Sequence, residues 1–452
     1  MTAANDFSKG SILKNLIRLA IPMTVAQLIS VLYNVVDRMF LARIPGASMD
    51  ALTGVGICLP VITMMIAFAN LIGTGGTPLF SIERGKKNED EAAMILGNSL
   101  TLLLLFSAGF CALGLALRQP LLLLLGASAE TYPYAIQYLT IYLFGTVFVL
   151  LSLGLNSFIN AQGFGGIGLL TVLIGAGLNI VLDPFFIFGL KLGVRGAAIA
   201  TVISQAAGTL WTLRFLTGKR ALIPLRICAM KLNGARVKRI MGLGLSGFTL
   251  SVTNAAVQMV CNATLQVFGG DVYVGIMTII NSIREVISAP VLGFNGAGQP
   301  ILGFNYGAKE YPRVKKTIRI LAGIMIGYTL AAWAVVALAP GLFIRMFSSD
   351  PQVLLLGKPA IHIYFFGFFF MAFQFCGQCV FTALGKAKRA VFFSVFRKIV
   401  IVVPLTLFLP YVLGLGVDGV FWAEPISNAV GGLACFCTMM LTVYAKLGKE
   451  EI

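Results

Sequence analysis

Charged residues are scarce in this sequence, and their scarcity excludes a water-soluble globular fold. Of its 452 residues only 11% are charged, whereas 58% are hydrophobic. Soluble proteins carry about 25% charged residues. Because so few charges cannot cover a surface that faces water, most of the exterior of the protein must face lipid.

The residues and motifs that build soluble active sites are also scarce. The only histidine is His362, and one histidine cannot form a zinc site unaided, so we expect no metal centre of this kind. No G-x-x-x-x-G-K-[ST] loop occurs, which argues against transport driven by nucleotide hydrolysis. The eight cysteines are scattered through apolar segments. The C-x-x-C pair of Cys376 and Cys379 lies in such a segment, which favours packing over redox or metal chemistry.

Apolar stretches long enough to cross a bilayer fill the chain. A spanning helix needs about 20 mostly apolar residues, and only helices and closed barrels can span. Runs such as "LTLLLLFSAGFCALGLAL" have helical length and lack the alternation of barrel strands. We therefore predict an all-α integral membrane protein with twelve spans, near residues 16–42, 52–82, 92–117, 133–157, 167–190, 196–216, 237–268, 273–303, 317–346, 359–384, 390–413 and 419–445.

Basic residues are distributed unevenly between the predicted loops. With the amino terminus placed inside, 24 of the 34 Lys and Arg fall in inside segments, six in outside loops and four within helices. This asymmetry predicts a multi-pass protein of the cell membrane with both termini in the cytoplasm. It also accounts for the net charge of +17 without nucleic acid, so we expect no nucleic-acid partner. The first apolar run is long enough to remain as a span, so we expect no cleaved signal peptide.

The two halves of the chain repeat one another. Residues 192–208 and 415–431 are identical at 9 of 17 positions, and "LAIP" at 19–22 corresponds to "LGLS" at 243–246. A repeat of six spans preserves orientation, so the halves are predicted to be parallel repeats, an architecture typical of transporters. The predicted divisions are a first lobe at 1–216, a basic cytoplasmic linker at 217–236 and a second lobe at 237–452.

Asp183 is the strongest functional candidate among the acids of the predicted spans. A charge at the centre of a spanning helix costs roughly 2.5–3.5 kcal/mol on insertion scales, so such residues are functional candidates first. Asn179 lies one helical turn before Asp183, and Pro184 follows it directly. Because proline removes a backbone donor and bends a helix, the acid, the amide and the bend predict a site for a proton or a small cation. The alternative is a buried acid that only braces helices.

Three further acids lie within predicted spans. Asp37 has the alternative of a salt bridge with Arg38, although adjacent residues do not face each other on a helix. For Glu285, an ion pair with a base on another helix is an equal alternative. Glu424 occupies the repeat position of Thr201, so a coupling role in the second lobe is one interpretation.

The chain resembles the multidrug and toxic compound extrusion (MATE) family, and within it the DinF-like bacterial branch. The resembling pieces are the Pro22 to Asp37 stretch, "NAQG", "LNIVLDPFFIFG", "LGVRGAAIATVISQ" and "GQPILGFNYGAKEYPRVKK", and they span nearly the whole chain in this order. The resemblance implies a V-shaped pair of six-helix lobes. It also implies export of organic cationic or amphiphilic compounds in exchange for H⁺ or Na⁺. We further expect a monomer surrounded by membrane lipid, with no other cofactor.

The resemblance also implies which residues couple ion and substrate. The matching positions are Asp37, Asp183, Asn179, Asn156 and Thr201, with Pro22 and Pro184 as bending positions. Na⁺ at Asp37 and Asp183 is the alternative to H⁺. The acids that the NorM-like branch places in the seventh and tenth spans are not found. The seventh predicted span, 237–268, offers Gln258 and Asn262 instead, and the tenth, 359–384, contains no acid. This favours coupling in the first lobe and leaves Glu285 and Glu424 without an assigned role.

Two other classes of function compete with the antiporter. A flippase of a lipid-linked precursor shares the two-lobe architecture, but it would be expected to line its cavity with Arg and Lys for phosphate. The basic residues within the predicted spans are few, namely Arg38, Arg284, Arg397 and Lys398. A membrane enzyme would need a nucleophile and a base in one cavity. No recognisable motif supplies them, so we do not expect an enzyme.

Overall fold

The computed structural model describes residues 5–44, 48–348 and 350–449, and its regular structure is helical. The earlier helices are α1 (Ile12–Leu41), α2 (Ser48–Gly85), α3 (Glu89–Leu124), α4 (Tyr132–Phe144), α5 (Thr146–Ala161), α6 (Gly165–Pro184) and α7 (Val194–Leu216). The later ones are α8 (Gly234–Gly307), α9 (Tyr311–Leu338), α10 (Pro340–Arg345), α11 (Pro351–Phe365), α12 (Phe370–Ala383), α13 (Ala387–Val395), α14 (Val403–Tyr411) and α15 (Gly416–Met439). Since the described residues include no β-strand, the predicted all-α class is confirmed.

Short turns of other helix types interrupt or extend these elements. Widened π-helical turns follow α6, α13 and α15, at Phe185–Gly189, Phe396–Val402 and Met440–Tyr444. A tight 3₁₀ turn spans Ile227–Met230. Such π turns inside otherwise regular helices are frequent at functional sites, which draws attention to the first of them, directly after Pro184.

The helices supply twelve membrane spans when bends are taken into account. Nine described helices, counted with their π continuations, are long and apolar enough to cross a membrane. Two more spans are pairs of shorter helices, α4 with α5 bent by 55° and α11 with α12 bent by 45°. Helix α8 has 74 residues and is kinked at Gly270, where φ is 65°, so it contains two spans. Because φ near +65° is accessible chiefly to glycine, this residue allows the chain to reverse between spans.

The helices pack into two compact units. Unit 1 comprises residues 25–244 together with the described residues before Phe7, and unit 2 comprises Phe7–Thr24 and the described residues from Leu245 onward. The division falls within α1, two residues after Pro22, whose missing N–H leaves the helix without one backbone bond. Residues 7–24 therefore pack in unit 2, whereas the predicted first lobe, 1–216, included them.

Each unit has its own apolar core. In unit 1 the rings of Phe80 and Phe158 pack edge to face with centroids 5.5 Å apart, and both residues are fully buried. In unit 2 the rings of Phe381 and Phe393 stack with centroids 5.9 Å apart inside a large buried cluster. Many large apolar side chains remain exposed, as expected for helices that face lipid rather than water.

The basic segment between α7 and α8 is docked on unit 1. The Asn98 side chain of α3 donates to the carbonyls of Ala229 and Lys231, both at 3.1 Å, and accepts from the Asn233 N–H at 3.0 Å. Arg236 forms a bidentate pair with Glu91 of α3, with a shortest distance of 2.7 Å. This stretch is therefore an ordered part of unit 1.

Candidate functional site

Two aspartates from different helices of unit 1 meet in a buried polar site. Asp37 near the end of α1 and Asp183 near the end of α6 lie close enough for their carboxyl groups to form a hydrogen bond. Asp183 is fully buried. Two carboxyl groups can hydrogen-bond to each other only when one of them carries a proton. The geometry therefore suits a pair that shares a proton.

Polar side chains from three helices surround this pair. Asn179, one turn before Asp183 on α6, donates from Nδ2 to Asp183 Oδ1 at 3.3 Å and to Thr201 Oγ1 at 3.4 Å. Thr201 on α7 donates in turn to the carbonyl of Ala197 at 3.0 Å. The Tyr33 side chain of α1 lies beside Thr201 and the two acids. The hydrogen bonds thus join α6 and α7 at Asp183, and the side chains of Tyr33 and Asp37 bring α1 to the same place.

The site retains acceptor oxygens that no described residue satisfies. Asp37 Oδ1, Asn179 Oδ1 and Asp183 Oδ2 are buried and receive no hydrogen bond from an N–H or hydroxyl group of the described residues, so a proton shared between the two carboxyl groups is the only donor on hand. Buried polar atoms are normally hydrogen-bonded, so such a group of acceptors needs an explanation. Oxygen acceptors suit a proton or a hard cation, which is the chemistry predicted from the sequence.

A small polar cavity lies beside the acids in unit 1. Its volume is about 70 Å³, enough for a few water molecules. The polar residues that line it are Ser30, Tyr33, Ser152, Thr171, Asn179, Ser204 and Gln205. Because Asn179 belongs both to the lining and to the hydrogen bonds around Asp183, the cavity connects the acid with hydroxyl groups that can carry water.

Helix α6 changes its geometry directly after Asp183. It ends at Pro184, and the π turn Phe185–Gly189 follows, closed by a bond of 2.9 Å from the Leu190 N–H to the Phe185 carbonyl. Proline has no N–H, so the carbonyl four residues before it loses its regular helical partner. The acid thus lies where the helix is least constrained by its own backbone.

Two of the residues proposed from the sequence lie away from this network. Asn156 of α5 donates to the carbonyl of Gly168 at 3.3 Å, and Gly168 lies about 16 Å along α6 from Asn179 at 1.5 Å per residue. Glu285 of α8 is exposed. Among the described residues, neither side chain forms a hydrogen bond or a salt bridge with the paired aspartates.

Glu424 lies in a different environment, within unit 2. It is buried, and its Oε1 and Oε2 accept hydrogen bonds from Lys398 Nζ at 2.9 and 3.2 Å. Arg284 and Arg397 approach the same carboxylate at 3.8 and 3.5 Å. The second-lobe acid is therefore surrounded by bases, in contrast to the paired acids of unit 1.

Three tyrosines near the acids, the half-buried Tyr33 and the buried Tyr138 and Tyr142, were not among the predicted site residues. Tyr33, Tyr138 and Tyr142 all interact electrostatically with Asp37. The rings of Tyr138 and Tyr142 stack with centroids 5.9 Å apart. Tyr33 precedes Asp37 by four residues, a spacing that places both on one helical face and could have revealed it. No spacing relates the two tyrosines of α4 to α1.

Comparison with known proteins identifies the family of this fold. The MatE family model matches residues 22–185 and 248–408, which is most of the chain. The chain belongs to the MatE family. The family predicted from the sequence is therefore confirmed, whereas the DinF-like branch stays a prediction. With its many apolar helices, this MatE protein is a multi-pass membrane protein.

Relatives of this MatE protein match it from end to end. It is 26% identical over 441 residues to the multidrug export protein MepA of Staphylococcus haemolyticus, covering 97% of this chain and 95% of the relative. The MepA of Staphylococcus aureus is 24% identical with the same coverage. A solved outward-facing multidrug resistance MATE family transporter of the MOP superfamily has a TM-score of 0.92 and 24% identity over the whole of both chains. That likeness shows that the two-lobe fold is shared.

Proposed function

We propose that this protein is a secondary active multidrug exporter that exchanges organic cationic or amphiphilic compounds for protons. The observation that carries the proposal is the close approach of the carboxyl groups of Asp37 and Asp183, because two carboxyl groups this close can share a proton. Export of drugs is supported by the names of the MepA relatives. No catalytic chemistry is needed for this activity.

The physical basis of exchange is competition for negative charge. When the pair loses its proton, two carboxylates in a buried site attract a cationic compound strongly. When protons bind, that attraction is lost and the compound is released. A ligand can shift a conformational equilibrium only by its difference in affinity between the two states, so proton and drug must each bind one state better. The break after Asp183 places this charge change next to a flexible part of α6.

Protons are favoured over Na⁺ as the coupling ion. A shared proton accounts for the close approach of the two carboxyl groups without any other atom. Na⁺ would instead use the oxygens that lack a hydrogen-bond donor, Asp37 Oδ1, Asn179 Oδ1 and Asp183 Oδ2. These oxygens come from three side chains only, whereas hard cations commonly take six or more oxygen ligands.

The distribution of basic residues supports a proposal for the location of the protein. We place it in the cytoplasmic membrane with both termini in the cytoplasm, because basic residues concentrate in the segments on that side. All of the proposed coupling residues belong to one chain, so we propose that a monomer is sufficient for exchange. The surrounding partner is membrane lipid.

A lipid-linked precursor flippase is the second candidate function. The observation that favours it is the group of buried bases in unit 2, Arg284, Arg397 and Lys398, since arginine and lysine bind phosphate. However, the cavity beside these bases is only about 30 Å³. A lipid phosphate with its substituents would not fit, so we prefer the drug exporter.

Transport measured in proteoliposomes tests the proposal. Ethidium efflux should follow an imposed pH gradient in the wild type and be lost in both Asp37→Asn and Asp183→Asn, because asparagine keeps the shape but cannot exchange a proton. Asp50→Asn is the matched control, since Asp50 lies in the same unit at the start of α2 and outside the site. Wild-type efflux in Asp183→Asn would refute the coupling role. Efflux driven by a Na⁺ gradient alone would identify Na⁺ rather than H⁺ as the coupling ion. Lipid flipping without ethidium transport would favour the flippase.

A further inference from the structure

Unit 2 contains a buried cluster of charges that the proposed proton exchange does not use. Its members are Glu424, Arg284, Arg397 and Lys398. Lys398 Nζ lies 2.9 Å from Glu424 Oε1, with Arg397 Nη1 at 3.5 Å and Arg284 Nη1 at 3.8 Å from the same oxygen. The side chains of Lys398 and Arg397 are 2% and 5% exposed, so water solvates their charges poorly. Three cations therefore converge on one carboxylate.

The cluster has fewer negative charges than positive ones. The charge of Glu285 also acts on Arg284, but Glu285 is exposed and forms no salt bridge among the described residues. Arg397 is further satisfied by hydrogen bonding to Asn428 Oδ1, a neutral group. Buried charges are costly unless they are paired, so an excess of cations calls for a counter-charge.

Comparison of the two repeats shows that the corresponding sites have opposite charge. The sequence correspondence, an offset of 223 or 224 residues, pairs Asp37 with Cys261 and Asp183 with Thr406. In unit 2, Cys261 Sγ and Thr406 Oγ1 lie 3.8 Å apart, so the neutral pair meets as the two aspartates do in unit 1. Glu424 occupies the place of Thr201. The two aspartates of unit 1 are therefore replaced by neutral groups in unit 2, and basic residues lie near those neutral groups.

A small cavity opens beside this cluster within unit 2. Its volume is about 30 Å³, and its polar lining consists of Asn254, Gln258, Asn281, Arg284, Tyr364, Lys398 and Glu424. Two of these residues are cationic and Glu424 is anionic, so the lining carries a net positive charge, and the amides and the phenol add neutral hydrogen-bond donors. The volume suits a single-atom anion or a water molecule and is too small for a drug.

We propose that this cavity binds one small inorganic anion of the size of chloride. Arg284 and Lys398 supply the positive charge, and the amide groups of Asn254, Gln258 and Asn281 supply uncharged donors. The anion would balance the cation excess and so stabilise unit 2. This site is separate from the acids of unit 1, and the proposal stands or falls independently of the proposed drug export.

Thermal unfolding of the purified protein tests the proposal. Chloride is replaced stepwise by gluconate at constant sodium concentration and ionic strength. The midpoint temperature of the wild type should rise saturably by a few degrees with chloride, because a ligand that binds only the folded state stabilises it. Bromide should act like chloride, and gluconate should not act. An equal response to gluconate, or stabilisation by phosphate but not by chloride, would overturn the proposal.

A pair of variants locates the effect. Arg284→Gln should abolish the saturable response, and it should still fold because Arg284 is 31% exposed and makes the longest contact with Glu424. Arg345→Gln, an exposed arginine of unit 2 at the end of α10, should keep the wild-type response. A saturable response that persists in Arg284→Gln would place the anion elsewhere and contradict the proposal.

Anomalous diffraction from bromide-grown crystals of the wild type gives a second measurement, independent of any variant. A bromide peak in the cavity between Arg284 and Lys398 is the expected result. Crystals at a bromide concentration that saturates the thermal response, but with no peak at that position, would refute the site.

Discussion

Asp183 and Glu424 are both buried acids within spanning helices, yet their surroundings assign them different behaviour. Asp183 forms no salt bridge among the described residues, and its contacts are an amide and a second carboxyl group. Glu424 is bound by three cations. Changing the charge of Glu424 would leave buried bases unpaired, which is costly, whereas Asp183 can gain or lose a proton without breaking an ion pair. These surroundings favour the acids of unit 1 over Glu424 for the proposed proton exchange.

Drug binding should depend on pH through Asp183. If proton and cationic drug compete, affinity must weaken as pH falls, because protonation removes the charge that holds the drug. For exchange of one proton the limit is about tenfold per pH unit. The purified wild type should show this decline in a dye-binding titration, and Asp183→Asn should flatten it. A wild-type affinity independent of pH would exclude shared-site competition.

The parts of the site predictable from the sequence are those that lie on one helix. Asn179 and Asp183 are four residues apart, so their hydrogen bond follows from helical geometry alone. The meeting of Asp37 with Asp183 depends on how α1 packs against α6, which no local spacing contains. The same limit applies to Tyr138 and Tyr142. Asn156 was matched by spacing within the resemblance, and the structure bonds it to Gly168 instead.

At the scale of elements, boundaries were predictable where apolar runs end and not where helices bend. The α4 and α5 pair was predicted as one span, and the structure bends it by 55°. Helix α8 was predicted as two spans, which the kink at Gly270 supports. Bends of this kind depend on packing and on single glycines or prolines. Composition averaged over a span does not resolve them.

The break of α6 at Pro184 should affect turnover more than binding. Alanine would restore the missing N–H and allow a regular helical bond to the carbonyl four residues earlier, which stiffens the segment beside Asp183. In Pro184→Ala the drug dissociation constant should stay near the wild-type value while the transport rate falls, since conformational steps limit many such cycles. Pro120→Ala, at an exposed proline of α3, is the control. A binding defect equal to the rate defect would contradict this role.

Helices α2 and α8 approach closely at a pair of glycines in unit 1. A Cβ on Gly244 would overlap the carbonyl oxygen of Leu71, and one on Gly75 would overlap that of Ile240. Gly244→Ala should therefore destabilise the protein by about 1–3 kcal/mol, the usual cost of overpacking. Gly242→Ala is the matched control, because nothing lies within 4 Å of its added Cβ. Thermal unfolding in detergent compares the two, and equal midpoints would show that this approach is not tight.

At the scale of the whole molecule, the repeat determines more than the span count. Each unit has one bent helix pair at corresponding places in the repeat, α4 with α5 and α11 with α12. The repeat thus preserves backbone features while the charges of the two sites diverge. The division within α1 could not be predicted from the repeat, because it depends on packing of residues 7–24 rather than on sequence correspondence.

The orientation of the whole chain can be measured at a native residue. Cys228 is exposed, and it lies in the basic segment docked on α3, which the charge distribution places in the cytoplasm. A membrane-impermeant maleimide should therefore label wild-type protein in inverted vesicles, where the cytoplasmic face points outward, and fail to label this position in intact cells. Cys228→Ser identifies the signal, because Cys437 is also exposed but lies in the apolar span of α15, where a polar reagent does not reach. Labelling of Cys228 from outside intact cells would show that the chain has the opposite orientation. The exporter would then face the wrong way for proton-driven efflux.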